Sequence, residues 1–107
     1  MPETVILYTT WPDAEKAEAV GAEAVAERLA ACANIFAPII SIYRWEGAIE
    51  EGRESIIIAK TRHELFNELS ERVKAIHSYS VPCIVEIPLG RIDGGYLDWL
   101  TAETGRT

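Results

Sequence analysis

Apolar and polar positions recur along the chain in patterns that predict two long helices. Residues 13–31 are rich in Ala and Glu and contain no proline, which predicts the first helix. Its apolar residues recur at helical spacing: Ala17, Val20 and Ala24. Thr61 and Glu64 match a capping box, which predicts the start of a second helix that ends near His77. The apolar residues of the second helix follow at spacings of three, four and three: Phe66, Leu69, Val73 and Ile76.

Four shorter apolar segments have the length and composition of β-strands. They are residues 5–8, 34–45, 55–61 and 82–89. Residues 46–52 begin with Glu46-Gly47 and end with Glu51-Gly52, and they are predicted to form the turn region of a hairpin. A short helix over residues 96–103 is predicted after a Gly-Gly turn.

The resulting order is βαββαβ, which is typical of an α+β, ferredoxin-like antiparallel sheet with two helices on one face. In that fold the first and third strands are central, and the second and fourth are edges. Proline cannot donate a hydrogen bond to a sheet, so it belongs on edge strands. Pro38, Pro82 and Pro88 all fall in the second and fourth segments. The length of 107 residues fits a single domain over residues 1–107 with a short C-terminal helix.

The predicted sheet is apolar on both faces, although its two helices cover only one. Residues 5–7 and 56–58 are unbroken apolar runs, whereas a one-sided antiparallel sheet alternates apolar and polar residues. In the second strand, Ile40 and Ile42 share one face, and Ile39 and Tyr43 share the other. The third helix is expected to cover part of the second face. We expect copies of the same chain to cover the rest in a closed symmetric oligomer.

The net charge of the chain argues against two classes of binding partner. Ten Lys and Arg against seventeen Asp and Glu give a net charge of −7, which disfavours nucleic acid and anionic membranes as partners. The first residues show no basic segment ahead of an apolar stretch, so a signal peptide is not expected. Cys32 and Cys83 have no zinc-finger spacing, and free thiols in a reducing cytoplasm are expected.

Five segments of the chain, in this order and spacing, resemble the CutA-type divalent-cation tolerance proteins. They are residues 27–34 (Glu-Arg-Leu-Ala-Ala-Cys-Ala-Asn), 41–47 (Ser-Ile-Tyr-Arg-Trp-Glu-Gly), 59–66 (Ala-Lys-Thr-Arg, then Leu-Phe), 77–82 (His-Ser-Tyr-Ser-Val-Pro) and 96–100 (Tyr-Leu-Asp-Trp-Leu). The resemblance implies a ferredoxin-like homotrimer, usually cytosolic in bacteria, that is linked to tolerance of divalent metals such as copper. It implies no catalytic activity.

The family's copper ligands are only partly present here. The resemblance implies a Cys after the first strand and two adjacent His residues, and the matching positions are Thr9, Ile76 and His77. Only the last of the three can ligate copper. The carboxylates that family members often carry before the last strand are also absent from residues 77–83.

The candidate ligands for a divalent metal, copper or zinc, are His77, Cys83 and Cys32. His77 and Cys83 are close along the chain, and Glu86 is predicted on the opposite side of its strand from Cys83. Two ligands are too few for tight zinc binding, so neighbouring copies would have to complete the site. The alternative is a helix-end histidine and a buried thiol. Cys32, predicted at the end of the first helix, is expected to pack in the core and is the second-choice ligand.

A cleft between subunits is the other candidate site, with Lys60, Tyr79, Trp45 and Glu86 as its predicted residues. Lys60 is a candidate to meet a ligand anion or the Glu86 carboxylate on the neighbouring sheet, and the aromatic residues are of the kind enriched at interfaces. Packing between subunits is the alternative explanation for all four. A PII-like trimeric small-molecule sensor is therefore a second hypothesis for function. No P-loop, nucleophile elbow or metalloprotease motif is present, so an enzyme is not expected.

Overall fold

The predicted order of helices and strands is the observed one. A computed structural model describes residues 3–105. Its elements are β1 (Thr4–Trp11), α1 (Ala14–Ala26), β2 (Cys32–Trp45), β3 (Ala48–Arg62), a 3₁₀ turn (His63–Leu65), α2 (Phe66–Ile76), β4 (Ile84–Pro88) and α3 (Gly94–Glu103). The strands form one antiparallel sheet in the order β2-β3-β1-β4, so β1 and β3 are central as predicted. The ferredoxin-like α+β fold is confirmed.

The core lies between one face of the sheet and the helices α1 and α2. Alternate residues of β1 and β3 point into it, because successive side chains of a strand point to opposite faces. The apolar stripe predicted for the first helix is buried against this face, and that of the second helix is buried at Leu69 and Val73, partly buried at Phe66 and exposed at Ile76. The core side chains include Leu7, Trp11, Ala17, Val20, Ala24, Leu29, Ile57, Ala59, Leu69 and Val73.

The edge strands carry the prolines, as predicted. Pro38 lies in β2, where the pairing register against β3 shifts between Phe36 and Ile39. Such a bulge accommodates a residue that has no N–H to donate. Pro88 ends β4 on the other edge, and Pro82 lies just before β4 begins.

The hairpin between β2 and β3 is longer than predicted, and its turn is shorter. β3 begins at Ala48 rather than at residue 55, and it pairs with β2 as far as Trp45. Glu46 and Gly47 form the two-residue turn, with φ angles of 48° and 82°. Two consecutive positive φ values are typical of a type I′ turn, whose twist matches that of the flanking strands. The hairpin therefore extends as an arm beyond the helices.

Two further expectations about element ends were wrong. α1 ends at Ala26, and Cys32 is the first residue of β2 rather than the end of the helix. Arg28 has a φ of 61°, a left-handed conformation that turns the chain out of the helix. The Thr61 hydroxyl donates to the Leu29 carbonyl at 2.6 Å instead of capping α2, which begins without a side-chain cap after the 3₁₀ turn.

The second face of the sheet is apolar and largely uncovered within one chain. α3 reaches only the end of this face near Lys60 and Arg62, where the Arg62 guanidinium bonds to Thr104 and to the Thr101 carbonyl. The exposed apolar residues of this open face, each 43–51% exposed, are Phe36, Tyr43, Trp45, Val85 and Ile87. The prediction that the chain alone does not bury both faces is therefore met.

No helix in residues 3–105 combines the length and apolar character needed to cross a bilayer.

Candidate functional site

A cleft of about 670 Å³ opens between the β2–β3 arm and residues 78–83. Aromatic side chains from both walls line it, namely Tyr43 and Trp45 from the arm and Tyr79 from the opposite segment. Glu54 is the charged residue among the lining side chains, all of which belong to the described part of the chain. The cleft is therefore an aromatic and weakly polar cavity with one negative charge.

His77 lies behind the cleft, with both ring nitrogens engaged. Its Nε2 lies 2.6 Å from the Thr10 carbonyl oxygen, and its Nδ1 lies 3.1 Å from the Tyr79 backbone nitrogen. A carbonyl oxygen only accepts and a backbone N–H only donates, so Nε2 carries the proton and Nδ1 accepts. The ring also stacks on Trp11 at 4.2 Å between centroids. In this arrangement His77 anchors the segment after α2 to the end of β1.

Tyr79 connects this anchor to the charge in the cleft. Its ring lies 4.7 Å from that of His77, and its hydroxyl donates to a Glu54 carboxylate oxygen at 2.8 Å. Burial, followed by this hydrogen bond and the carboxylate's charge, raises the pKa of Tyr79 to about 12. The phenol therefore stays protonated at neutral pH and keeps donating to Glu54.

The two cysteines occupy separate places in the fold. Cys83 is half-buried and lines the cleft, close to the edge strand β4. Cys32 begins the opposite edge strand β2, where its sulfur lies 3.6 Å from the Tyr96 hydroxyl. Both thiols are free.

Lys60 belongs to a second cluster, at the end of the open face that α3 covers. It lies opposite Cys32 in the sheet, and its Nζ lies 3.4 Å from the Tyr96 hydroxyl and 3.5 Å from the Asn34 side-chain oxygen. The ammonium also lies 5.5 Å from the centre of the Tyr96 ring. Tyr96 therefore holds Lys60 and Cys32 together near the N-terminus of α3.

Glu86 points to the helix side of the sheet, because it pairs with Leu7, whose side chain is in the core. Its carboxylate lies 2.6 Å from Nδ1 of His63, and this hydrogen bond raises the pKa of the histidine. Within one chain Lys60 and Glu86 lie on opposite faces of the sheet, so their contact across neighbouring sheets stays a prediction.

Of the four predicted cleft residues, one chain brings Trp45 and Tyr79 together and places Lys60 and Glu86 elsewhere. The sequence interpretation did not include Glu54 among the cleft residues. The alternation of side chains along β3 could have identified it, because positions two apart share a face and Glu54 therefore lies on the same face as Ile56 and Ile58.

The described residues of one chain do not form a metal centre. Within residues 3–105 no group of three or more His, Cys, Asp and Glu side chains converges on a point that an ion could occupy. Both His77 nitrogens are engaged, and Cys32 and Cys83 lie at opposite edges of the sheet. His77, Cys83 and Cys32 stay predicted ligands whose test requires the assembled protein.

The strand order, the one-sided helices and the extended hairpin define a ferredoxin-like α+β domain with an open apolar face. Residues 5–103 match the family model described as CutA1 divalent ion tolerance protein. The chain belongs to this family, as the sequence resemblance implied.

Relatives from several organisms are similar to this chain over nearly its whole length. The divalent-cation tolerance protein CutA of Thermus thermophilus is 46% identical over 103 residues, which cover 96% of this chain and 99% of that protein. The protein of the same name from Pyrococcus horikoshii is 47% identical over 100 residues, covering 94% and 97%. The crystal structure of CutA1 from Oryza sativa superposes with a TM-score of 0.94 at 36% identity, covering 99% and 97% of the two chains.

Proposed function

We propose that this protein serves in divalent-cation tolerance as a homotrimer with no catalytic activity. Membership of the CutA1 family supports the tolerance role. The observation that carries the assembly is the row of half-exposed apolar side chains on the open face of the sheet. At about 25 cal/mol per Å² of apolar surface, leaving this face in water forfeits a stabilisation comparable with that of a whole domain.

Light scattering on the purified protein at micromolar concentration tests the assembly. A homotrimer gives three times the 11.9 kDa mass of one chain. A stable single chain at this concentration would contradict the proposal, and a dimer or tetramer would replace the trimer by another closed oligomer.

Direct copper or zinc binding requires ligands from more than one copy, because the described residues of one chain do not supply a sufficient set. Cys83 is the first ligand we propose, since its half-buried thiol lines the cleft and soft metals favour thiolates. Cys32 and His77 are the further candidates, and His77 would have to give up its hydrogen bond from Tyr79.

Calorimetric titration of the metal-free assembly with Cu²⁺ and Zn²⁺ tests this site. Direct binding predicts micromolar affinity that is lost in Cys83→Ser, with Cys32→Ser and His77→Ala separating the other ligands. Absence of micromolar binding, or binding that none of the three substitutions weakens, would remove the metal site while leaving the assembly intact.

The cleft favours a second candidate function, a PII-like trimeric module that senses a small molecule. Its volume of about 670 Å³ lies within the range of small-molecule sites, and its lining combines aromatic and polar groups. A thermal-shift screen of metabolites against the assembled protein tests this function, since a ligand that binds only the folded state raises the melting temperature.

We propose a cytoplasmic location, which the two free thiols support. Relatives are described differently, as chloroplastic in Arabidopsis thaliana and periplasmic in Archaeoglobus fulgidus. Cell fractionation with antibody detection decides between the compartments, and recovery in a periplasmic or organellar fraction would contradict the proposal.

A further inference from the structure

We propose that the back face of the β2–β3 arm packs against a second copy of this chain, so that the arm is buried on both sides in the assembly. The arm comprises residues 39–54, and its back face is the one on the helix side of the sheet, opposite the open face. This inference rests on the assembly proposed above and names a second surface through which the copies associate.

Three isoleucines make the back face of the arm apolar. Ile40, Ile42 and Ile49 are 60%, 69% and 69% exposed, which is more than the apolar residues of the open face. Along the same two strands, Tyr43 and Trp45 point to the open face, because successive side chains of a strand alternate. An apolar patch of this kind on a protein surface marks an interaction site.

Within the described residues, the chain does not cover this face. β1 ends at Trp11, which pairs with Ser55, so the arm projects beyond the central strand. The described core between the sheet and the helices takes no side chain from residues 39–54. A two-stranded hairpin without a packing partner is only marginally stable in water. An arm that is apolar on both faces therefore needs a partner on each face.

Charge complementarity indicates that the partner on the back face is another copy. Arg44 and Arg53 lie on this face beside the isoleucines, together with Glu51. Neither arginine forms an ion pair within residues 3–105. The chain has a net charge of −7, so a second copy offers an excess of carboxylates to these two guanidinium groups. Arginine is also enriched at interfaces, where its planar fork binds carboxylates.

The two faces of the arm are unlike surfaces, and this bears on the symmetry of the assembly. In a ring of three, each copy has two neighbours and meets them through two different surfaces. A twofold dimer joins like surfaces instead. An arm held between two neighbours therefore favours the trimer over a dimer.

Thiol labelling of the assembled protein tests the contact. Ile49→Cys and Glu71→Cys are made in a background that carries Cys32→Ser and Cys83→Ser, and light scattering checks the mass of each variant. Position 71 is the matched control, because the Glu71 side chain on α2 is 75% exposed in one chain. We expect N-ethylmaleimide to modify the thiol at position 49 about tenfold or more slowly than the thiol at position 71.

The outcomes separate this inference from the assembly on which it rests. Equal labelling rates in an intact trimer would show that the back face is free for a different partner, which overturns the inference and leaves the trimer. A single-chain mass for the parent protein would overturn both. Loss of assembly in Ile49→Cys alone would support the contact, because this side chain is largely exposed in one chain.

Charge reversal tests the electrostatic part of the contact. Arg53→Glu is expected to raise the concentration at which the assembly dissociates about tenfold or more, since it places like charges together. Arg91→Glu is the matched control, because Arg91 is equally exposed, lies outside the arm and has no ion pair within residues 3–105. Sedimentation of a dilution series, in urea that partly dissociates the parent protein, measures both. Equal effects of the two reversals, or no effect of Arg53→Glu, would contradict the contact.

Discussion

Thr9 and Trp11 each carry a buried polar group in or beside the apolar core. The Thr9 hydroxyl and the Trp11 indole nitrogen are buried, and neither has a hydrogen-bond partner among residues 3–105. Thr9 lies beside a small internal void of about 10 Å³ whose other lining is apolar. A water molecule there would have only one polar partner, which does not hold it. Thr9 is thus a packed core residue at the position where the resemblance implied a metal-binding cysteine.

Replacing Thr9 by Val is expected to stabilise the fold by about 1 kcal/mol. The substitution removes a buried hydroxyl that makes no hydrogen bond and keeps the branched shape of the side chain. The matched control is Thr61→Val, since that hydroxyl donates to the Leu29 carbonyl at 2.6 Å. The control is expected to destabilise by about 1 kcal/mol or more. Urea unfolding at fixed protein concentration measures both, and destabilisation by Thr9→Val would show an unrecognised partner.

The His63–Glu86 contact makes a pH-dependent contribution to the free energy of unfolding, and the direction of the shift in the His63 pKa sets the sign of that dependence. The pKa of His63 is raised from 6.5, first by its hydrogen bond to Glu86 and then by the charge of that carboxylate. Stabilisation is therefore fully present below pH 6.5 and is lost as the pH rises through the raised pKa. NMR titration of the His63 ring is expected to show a lower pKa in Glu86→Gln than in the parent protein. The control Glu64→Gln is expected to leave it unchanged.

At the scale of elements, local patterns predicted the helices and strands, and their ends required tertiary information. The apolar stripes of α1 and α2 identified both helices, because helical spacing is visible in the sequence. The arm was missed because Glu46-Gly47 and Glu51-Gly52 offer two similar turn signals. Strand pairing along the whole hairpin places the turn at Glu46-Gly47, because only a turn there pairs Trp45 with Ala48 and leaves β3 unbroken.

Gly47→Ala is expected to destabilise the arm by about 1 kcal/mol. Gly47 has a φ of 82° and no atom within 4 Å of an added Cβ, so the cost comes from the backbone conformation alone. Gly52→Ala is the matched control, because Gly52 also has open space and does not adopt a left-handed conformation. Thermal melts of both variants measure the difference, and equal effects would place the turn elsewhere in the hairpin.

At the scale of the whole molecule, the sequence predicted the open apolar face better than the cleft. Apolar runs in both central strands imply burial on two faces wherever the strands lie. The cleft, in contrast, depends on how the loop after α2 approaches the arm. The hydrogen bonds from His77 to the Thr10 carbonyl and from Tyr79 to Glu54 join segments far apart in sequence, and no local pattern encodes such contacts. Trp45 and Tyr79 were identified by residue type, and their common cavity became visible only in three dimensions.

If the open face is the surface through which copies associate, a charge on that face is expected to disrupt the assembly. Two valines of similar exposure, one on the open face and one on a helix, test this. Val85 lies on the open face in β4 and is 46% exposed, whereas Val25 lies in α1 and is 40% exposed. Burying a valine contributes about 2 kcal/mol per copy, and a buried unpaired carboxylate costs more, so Val85→Glu is expected to dissociate the assembly. Val25→Glu is expected to leave it intact, because α1 lies on the other side of the sheet. Light scattering at micromolar concentration measures both masses. Dissociation by Val25→Glu alone would mean that copies associate through their helices, and the open face would then need a different partner.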